Sequence, residues 1–392
     1  MPCEAAETFQ ACLDRTLLTN VFRFNRRSEF APRALGLSIA SWPRRAALWL
    51  RDTSRDCVER FLECLAALPF RWRPEARLAW LLRKPGTQRL RSQILERFAF
   101  LHDRLDPAGR DLLAHVAALR LLGPRRISIP GSAERMRRNL PPLRAALRQG
   151  VPAPGAGHGE ALFDFRPFPA LRFPVQCVSH RLVLTDLLML DQYEHAEVRA
   201  EPGDIVLDGG AFKGETALWM ASRVGAAGRV FAFEFIPAHA AMLRENLARN
   251  PDLCDRVEIV SAALWDRSGL PVYCQYAGGG ARVSFEDPGN GACVAETLAI
   301  DDFLARRNLP GLDLIKLDVE GAELPTLKGA EQTLRAHRPK LAVAVYHSLE
   351  DFDTIPRFLD GLGLGYQFRL GHHAPGNSET ILYATALRAE RA

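Results

Sequence analysis

Asp208, Gly210 and Gly214 stand at D-x-G-x-x-x-G spacing in the stretch "LDGGAFKGET", residues 207–216. An apolar strand pattern precedes this turn and a helical pattern follows it, so the turn is placed to hold a ligand with its backbone. Glycines let the main chain approach a bound group closely. A helix N-terminus beginning at Glu215 and Thr216 favours negative charge. Three ligand classes compete for such a turn. A Walker phosphate loop needs G-x-x-x-x-G-K-[ST]; Gly209 and Gly214 have the first spacing, but Glu215 replaces the lysine, which excludes it. A dinucleotide fingerprint needs G-x-G-x-x-G, and "GGAFKG" offers G-G-x-x-x-G, a weak fit. The third class is a ligand with no phosphate. Asp208 stands at the strand end, beside Gly210 and Ala211. Glu234 ends the next strand, where an acid would bind two ribose hydroxyls; dinucleotide folds place an acid similarly, so it does not discriminate.

The elements that must position this turn are legible along residues 204–392. The runs 204–208, 229–234, 257–262, 313–318 and 340–346 are rich in Val, Ile, Leu and Phe, and helical patterns separate most of them. Near-continuous apolar strands alternating with helices imply a parallel sheet covered on both faces. Ligands then sit beyond the carboxyl ends of the strands, where residues 207–216 lie. Two runs at the chain end, "YQFRLGHH" and "ETILYAT", are close enough to pair antiparallel. Residues 270–299 look like an inserted set of short strands, and Gly278, Gly279 and Gly280 within them are equally consistent with a substrate wall or a plain loop.

Residues 1–148 read as helical. "SRDCVERFLECLAAL" (54–68) carries an apolar stripe at 3–4-residue spacing. "DPAGRDLLAHVAALRLLG" (106–123) has Asp106 as N-cap, Pro107 at the first helical position and Gly123 as a stop. Trp72 and Trp80 read as core; His102, His115 and His158 stand alone and read as structural. The Gly- and Pro-rich segment 149–160 reads as a linker, with 161–203 leading into a catalytic domain at 204–392.

The chain has 392 residues, 47% hydrophobic and 25% charged, ordinary for a globular protein. The eight cysteines are scattered and form no C-x-x-C pair, which argues against zinc and a disulfide framework and for a cytoplasmic protein. No signal peptide and no apolar run of the ~20 residues that span a bilayer are evident. The net charge of +5 hides an asymmetry: residues 1–150 hold 28 Lys+Arg against 14 Asp+Glu, leaving 23 against 32 for the rest. A basic half attracts an anionic partner, or the two halves attract each other.

Beyond the turn, "VFAFEFIPAHAAMLRENLARNP", "ALWDRSG", "ETLAIDDF", "DLIKLDVEGAELPTLKGA" and "ETILYA" occur in that order. Together they resemble the FkbM-type family of S-adenosylmethionine-dependent methyltransferases over residues 185–385; the block at 313–323 is its most recognisable signature. The resemblance implies a class I methyltransferase fold: a doubly wound α/β sheet of seven strands, mostly parallel, with an antiparallel last strand, here preceded by an all-α N-terminal domain. It implies S-adenosylmethionine as cofactor, with Asp208 accepting from its ammonium directly or through water and adenine near Ser261 and Ala262, and methyl transfer to a hydroxyl oxygen of a small molecule or sugar. The alternatives are an inactive or nucleic-acid-directed protein whose basic helices bind an anionic partner. The tetrapeptide (D/N)PP(Y/F) of amino-methylating enzymes is absent, which disfavours nucleic acid.

Methyl transfer from a sulfonium is an in-line displacement, so alignment and water exclusion come first and a general base helps. Asp318 and His347, at the ends of the fourth and fifth strands, are the candidate bases. Lys316 is a third catalytic candidate, or else it only pairs with a carboxylate at the sheet end. Glu320, His372 and His373 are candidates for contacting the acceptor, with helix capping as the other reading of Glu320. Asp318 and Glu320 lack an evident third oxygen ligand, so no metal is expected. Oligomeric state is not legible.

Overall fold

The computed structural model describes residues 9–22, 83–124, 127, 129, 132–153, 157–277, 280–287, 293–374 and 376–386. The expected helix at 54–68, Trp72, Trp80, Gly278 and Gly279 lie outside them. In chain order the helices α1 (Phe9–Phe22), α2 (Pro85–Arg104), α3 (Pro107–Leu122) and α4 (Ser132–Arg148) come first. A hairpin of β1 (Glu160–Asp164) and β2 (Gln176–His180) and the helix α5 (Arg181–Met189) follow. Then come β3 (Ile205–Gly209), α6 (Glu215–Val224), β4 (Arg229–Phe233), α7 (Pro237–Ala248), α8 (Pro251–Cys254) and β5 (Val257–Val260). The insertion holds β6 (Ala263–Leu264), β7 (Pro271–Ala277), β8 (Gly280–Ser284) and β9 (Cys293–Leu298). The chain continues through α9 (Ile300–Arg307), β10 (Leu314–Leu317), α10 (Glu323–Lys328), α11 (Glu331–His337), β11 (Lys340–Ala344), α12 (Asp351–Gly361), β12 (Gln367–His372) and β13 (Thr380–Thr385).

Seven strands form one sheet in the order β12-β13-β11-β10-β3-β4-β5. β3, β4, β5, β10 and β11 run parallel, and β13 pairs antiparallel with both β11 and β12. Alternate residues of each strand feed opposite cores: Leu207, Ile315 and Val343 face one, Val206, Leu314 and Ala342 the other. A separate four-stranded sheet, β6-β9-β7-β8, holds the insertion.

The helical first part shares its core with the sheet. Phe9, Leu13, Phe98 and Leu113 belong to the same buried cluster as Leu207, Ile315 and Phe352, and the rings of Phe98 and Phe352 stack at 4.1 Å. Across the charge asymmetry, Arg104 bonds Asp360 through two nitrogens at 3.1 Å, and Arg138 meets Asp191 at 2.5 Å. Within the segment read as a linker, Val151 bridges Leu162 and Glu160 opens β1.

Local chemistry sets the element ends. Asp106 accepts from the Gly109 amide at 2.8 Å and Gly123 ends α3 at φ 81°. The helical pattern over 321–337 is two helices, because Asp301 intervenes. Its carboxylate accepts the amides of Gln332 and Thr333 at 2.9 and 2.8 Å, capping α11 from outside, while its own amide donates to the Gly329 carbonyl. At Gly329 a Cβ would lie 2.2 Å from the Trp265 carbonyl oxygen, so only glycine fits that close approach.

Candidate active site

The turn after β3 is built by three constraints. Gly210 has φ 73°, and a Cβ there would lie 2.0 Å from the Asp318 carbonyl oxygen. The turn therefore packs directly onto the chain leaving β10, and glycine is required. Gly214 has φ 93° where α6 begins, and no side chain caps that helix. The amides of Gly210 and Ala211 donate to the Phe233 carbonyl at 3.1 and 3.0 Å, tying the turn to β4.

Lys316 holds the turn from beneath. Asp208 and Lys316 are register partners on adjacent parallel strands. The fully buried Asp208 carboxylate lies 3.0 Å from the Lys316 ammonium and accepts from the Thr216 hydroxyl at 2.6 Å. The same ammonium donates to the carbonyls of Gly209 and Gly210 at 3.0 and 2.9 Å. The ammonium thus makes two hydrogen bonds and one ion pair at the turn, so Lys316 clamps it, and the pairing with a sheet-end carboxylate is what the structure contains. Asp208 is buried outside the cavity lining, with Oδ2 bonded to Thr216 and Oδ1 ion-paired with Lys316 but without a hydrogen bond.

A cavity of about 1040 Å³ opens in front of the turn. Gly210, Ala211, Glu215 and Thr216 line one end, with Glu234 and Ala262 beyond them; Ser261 is exposed and outside the lining. One Glu234 oxygen accepts the Ile236 amide at 2.7 Å, and the other lies 3.6 Å from His239. Glu215 is buried and accepts from the Ser179 hydroxyl at 2.5 Å. Burial raises its carboxyl above the ordinary range, and Ser179 and Lys213 oppose the rise. Lys213 pairs with Glu160, so the β1–β2 hairpin closes over the turn. The insertion adds Val272, Phe285 and Thr297 to the wall, and the rings of Phe285 and Trp265 meet edge to face at 4.7 Å.

Beside the turn, the lining around Asp318 is acidic and aromatic. Asp318 accepts from the hydroxyls of Tyr193 and, at 3.0 Å, Tyr346. His347 stands behind it, with Nε2 3.5 Å from Asp318 and from Glu320 and Nδ1 3.0 Å from Glu323. Burial opposes a proton on His347, but Glu323, Asp318 and Glu320 outweigh it and raise its pKa to about 9. Two lining residues were invisible to sequence reasoning. Burial pushes Asp186 up to about 7. Glu379 is pushed up to about 8 by burial and by the charges of Asp318 and Asp186, while the Gln192 amide donates to it. Among the described residues eight non-glycines have left-handed backbone, and four of them, Tyr193, Phe212, Glu320 and Glu379, line this cavity. Four such positions on one cavity make it the candidate functional site.

His372 and His373 are elsewhere, which corrects the expectation that they face an acceptor. Both are 1% exposed and outside the lining. His372 bonds the Thr380 hydroxyl at 2.8 Å. His373 bonds the Leu190 carbonyl at 3.0 Å and the Tyr383 hydroxyl at 2.9 Å. Burial lowers their pKa values to about 4 and about 3, so they are neutral core histidines tying β12 to its neighbours.

The strand order, the antiparallel β13 and the glycine turn at the central strand define a class I methyltransferase fold. Residues 208–368 match the family described as "Methyltransferase FkbM domain", the family that the motif order resembles. The chain is similar to the 2-O-methyltransferase NoeI of Sinorhizobium fredii, 30% identical over 156 residues. That match covers 35% of this chain and spans 62% of the relative's length. Among solved structures, the methyltransferase FkbM of Methylobacillus flagellatus KT is 19% identical at TM-score 0.48, covering 75% of this chain and 60% of that one. Aeropyrum pernix fibrillarin with natively bound S-adenosyl-L-methionine is 15% identical at TM-score 0.34, covering 60% and 87%. No helix among the described residues is long and apolar enough to cross a membrane.

Proposed function

We propose that the chain transfers a methyl group from S-adenosylmethionine to a hydroxyl oxygen of a small molecule or saccharide. The observation that carries this reading is the clamped glycine turn opening onto a cavity whose lining around Asp318 is acidic and aromatic. In this reading the methionine end of the cofactor lies on Gly210 and Ala211 at the α6 N-terminus, which favours its carboxylate. Glu234 takes the ribose hydroxyls, and Ala262 borders the adenine. The similarity to a 2-O-methyltransferase supports oxygen as the acceptor atom.

The sulfonium is already an activated electrophile, so the protein aligns the acceptor and excludes water. Both oxygens of Asp318 accept tyrosine hydroxyls. Asp318 is therefore held by the two tyrosines beside the acceptor, and Glu379 takes the hydroxyl proton. Held near 8 by its surroundings, Glu379 accepts a proton more readily than an ordinary carboxylate. The reaction closes with the new C–O bond formed, the S–CH₃ bond broken, S-adenosylhomocysteine released and the proton on Glu379.

Calorimetric titration with S-adenosylmethionine, with NAD in parallel, tests the reading. One saturable site for the sulfonium and none for NAD is expected; the reverse, or no binding of either, overturns it.

A further inference from the structure

Behind the acidic part of the cavity wall, nitrogen and oxygen donors converge in a way that hydrogen bonding does not satisfy. Donor atoms of Asp318, Glu323 and His347 all lie within 4.8 Å of one another. They come from three elements: the end of β10, the first turn of α10 and the residues after β11. Glu323 is fully buried; its Oε1 accepts the Val319 amide at 2.8 Å, and its Oε2 is buried with no partner. Neither imidazole nitrogen of His347 has a directed hydrogen bond, although carboxylate oxygens stand 3.0–3.5 Å away. A buried carboxylate oxygen left unpaired is costly. Three carboxylates around one imidazole leave net negative charge even when that imidazole is protonated.

We propose that Asp318, Glu323 and His347 form a binding site for a divalent transition-metal cation. The sequence shows two nearby acids, Asp318 and Glu320, without a third ligand; folding brings Glu323 and His347 to Asp318 from five and 29 positions further along the chain. Asp318 is already oriented by the hydroxyls of Tyr193 and Tyr346, as outer partners orient a ligating carboxylate. An imidazole among carboxylates suits Mn²⁺, Fe²⁺, Co²⁺ or Zn²⁺ better than Mg²⁺ or Ca²⁺, which prefer oxygen alone. The exposed Glu320, 3.5 Å from His347, lies on the cavity side and is available to complete the shell.

The test is titration of chelator-treated full-length protein with MnCl₂, reading free Mn²⁺ by electron paramagnetic resonance. One saturable site per chain is expected, weakened at least about tenfold in Glu323→Gln and in His347→Ala. No saturable binding, or binding unchanged in both variants, overturns the proposal. Because either variant can also unfold the chain, X-ray absorption on Zn²⁺-loaded wild-type protein supplies a second reading. One imidazole nitrogen with carboxylate oxygens supports the site, and an all-oxygen shell overturns it. The site stands independently of methyl transfer, since cation binding is read without cofactor or acceptor.

Discussion

Two parts of the cavity wall, the glycine turn and the acidic cluster beside it, are built on opposite principles. The glycine turn is sequentially compact: Asp208, Gly210, Gly214 and Thr216 lie within nine residues, and their positions follow from local backbone geometry plus one clamp from Lys316. The acidic cluster is assembled from distant chain. Asp186 is on α5, Gln192 and Tyr193 follow it, Asp318 and Tyr346 lie past separate strands, and Glu379 precedes β13. A turn that holds a constant ligand can be fixed by backbone. The acidic cluster instead draws its side chains from several elements.

Substitutions in the two parts should therefore fail differently. The largest effect is expected for Lys316→Met, which leaves the buried Asp208 carboxylate uncompensated. A loss of about 3–5 kcal/mol in unfolding free energy is expected, measurable by urea denaturation. An unchanged midpoint would show that the clamp is ornamental. In the acidic cluster, Glu379→Gln should lower turnover about a hundred- to ten-thousand-fold while leaving the cofactor dissociation constant unchanged. Since Glu379 must be unprotonated to act, wild-type turnover should rise with pH through about 8. Turnover that falls over that interval would contradict the assignment.

Gly210→Ala returns to the glycine turn. Left-handed backbone alone costs about 1–2 kcal/mol in a residue with a Cβ, and the added carbon must also push Asp318 away. Weaker cofactor binding is expected from calorimetry, since that backbone would cradle the ligand. His372 and His373 sharpen the contrast from outside the cavity. Their pKa values are depressed from the ordinary 6.5 to about 4 and about 3. The unfolded chain thus binds protons that the folded chain refuses. Stability contributed above 6.5 should be lost as pH falls from about 6.5 toward 3, and thermal melts of His372→Gln and His373→Gln should show a flatter acid limb. The smallest effect is expected for Arg104→Ala, whose partly exposed pair with Asp360 contributes below about 1 kcal/mol.

Sequence reasoning reached the glycine turn because its signals are local. Spacing excludes a Walker lysine at Glu215, and the end of an apolar strand locates Asp208 and Glu234. Lys316 carried a usable signal as well: a lysine inside a buried apolar strand needs a buried partner, and its register neighbour is Asp208. Asp186 gave none, since an acid on a short helix reads as solvated surface, and Glu379 reads as a loop residue before a strand. His372 and His373 misled because a strand end normally faces a ligand, whereas β12 is an edge strand whose end is covered by Leu190 and Tyr383. The helical first part looked separate because its amphipathic stripes are visible locally. The Phe98–Phe352 stack that joins it to the sheet spans 254 positions and leaves no local trace.

In the proposed reaction one cavity presents a cofactor at its glycine turn to an acceptor beside Asp318 and Glu379. A structure with S-adenosylhomocysteine bound tests it most directly. The expected complex has the homocysteine carboxylate on the amides at the start of α6, the ribose on Glu234 and the sulfur directed toward Asp318 and Glu379. A sulfur directed away from those two carboxylates would contradict the account.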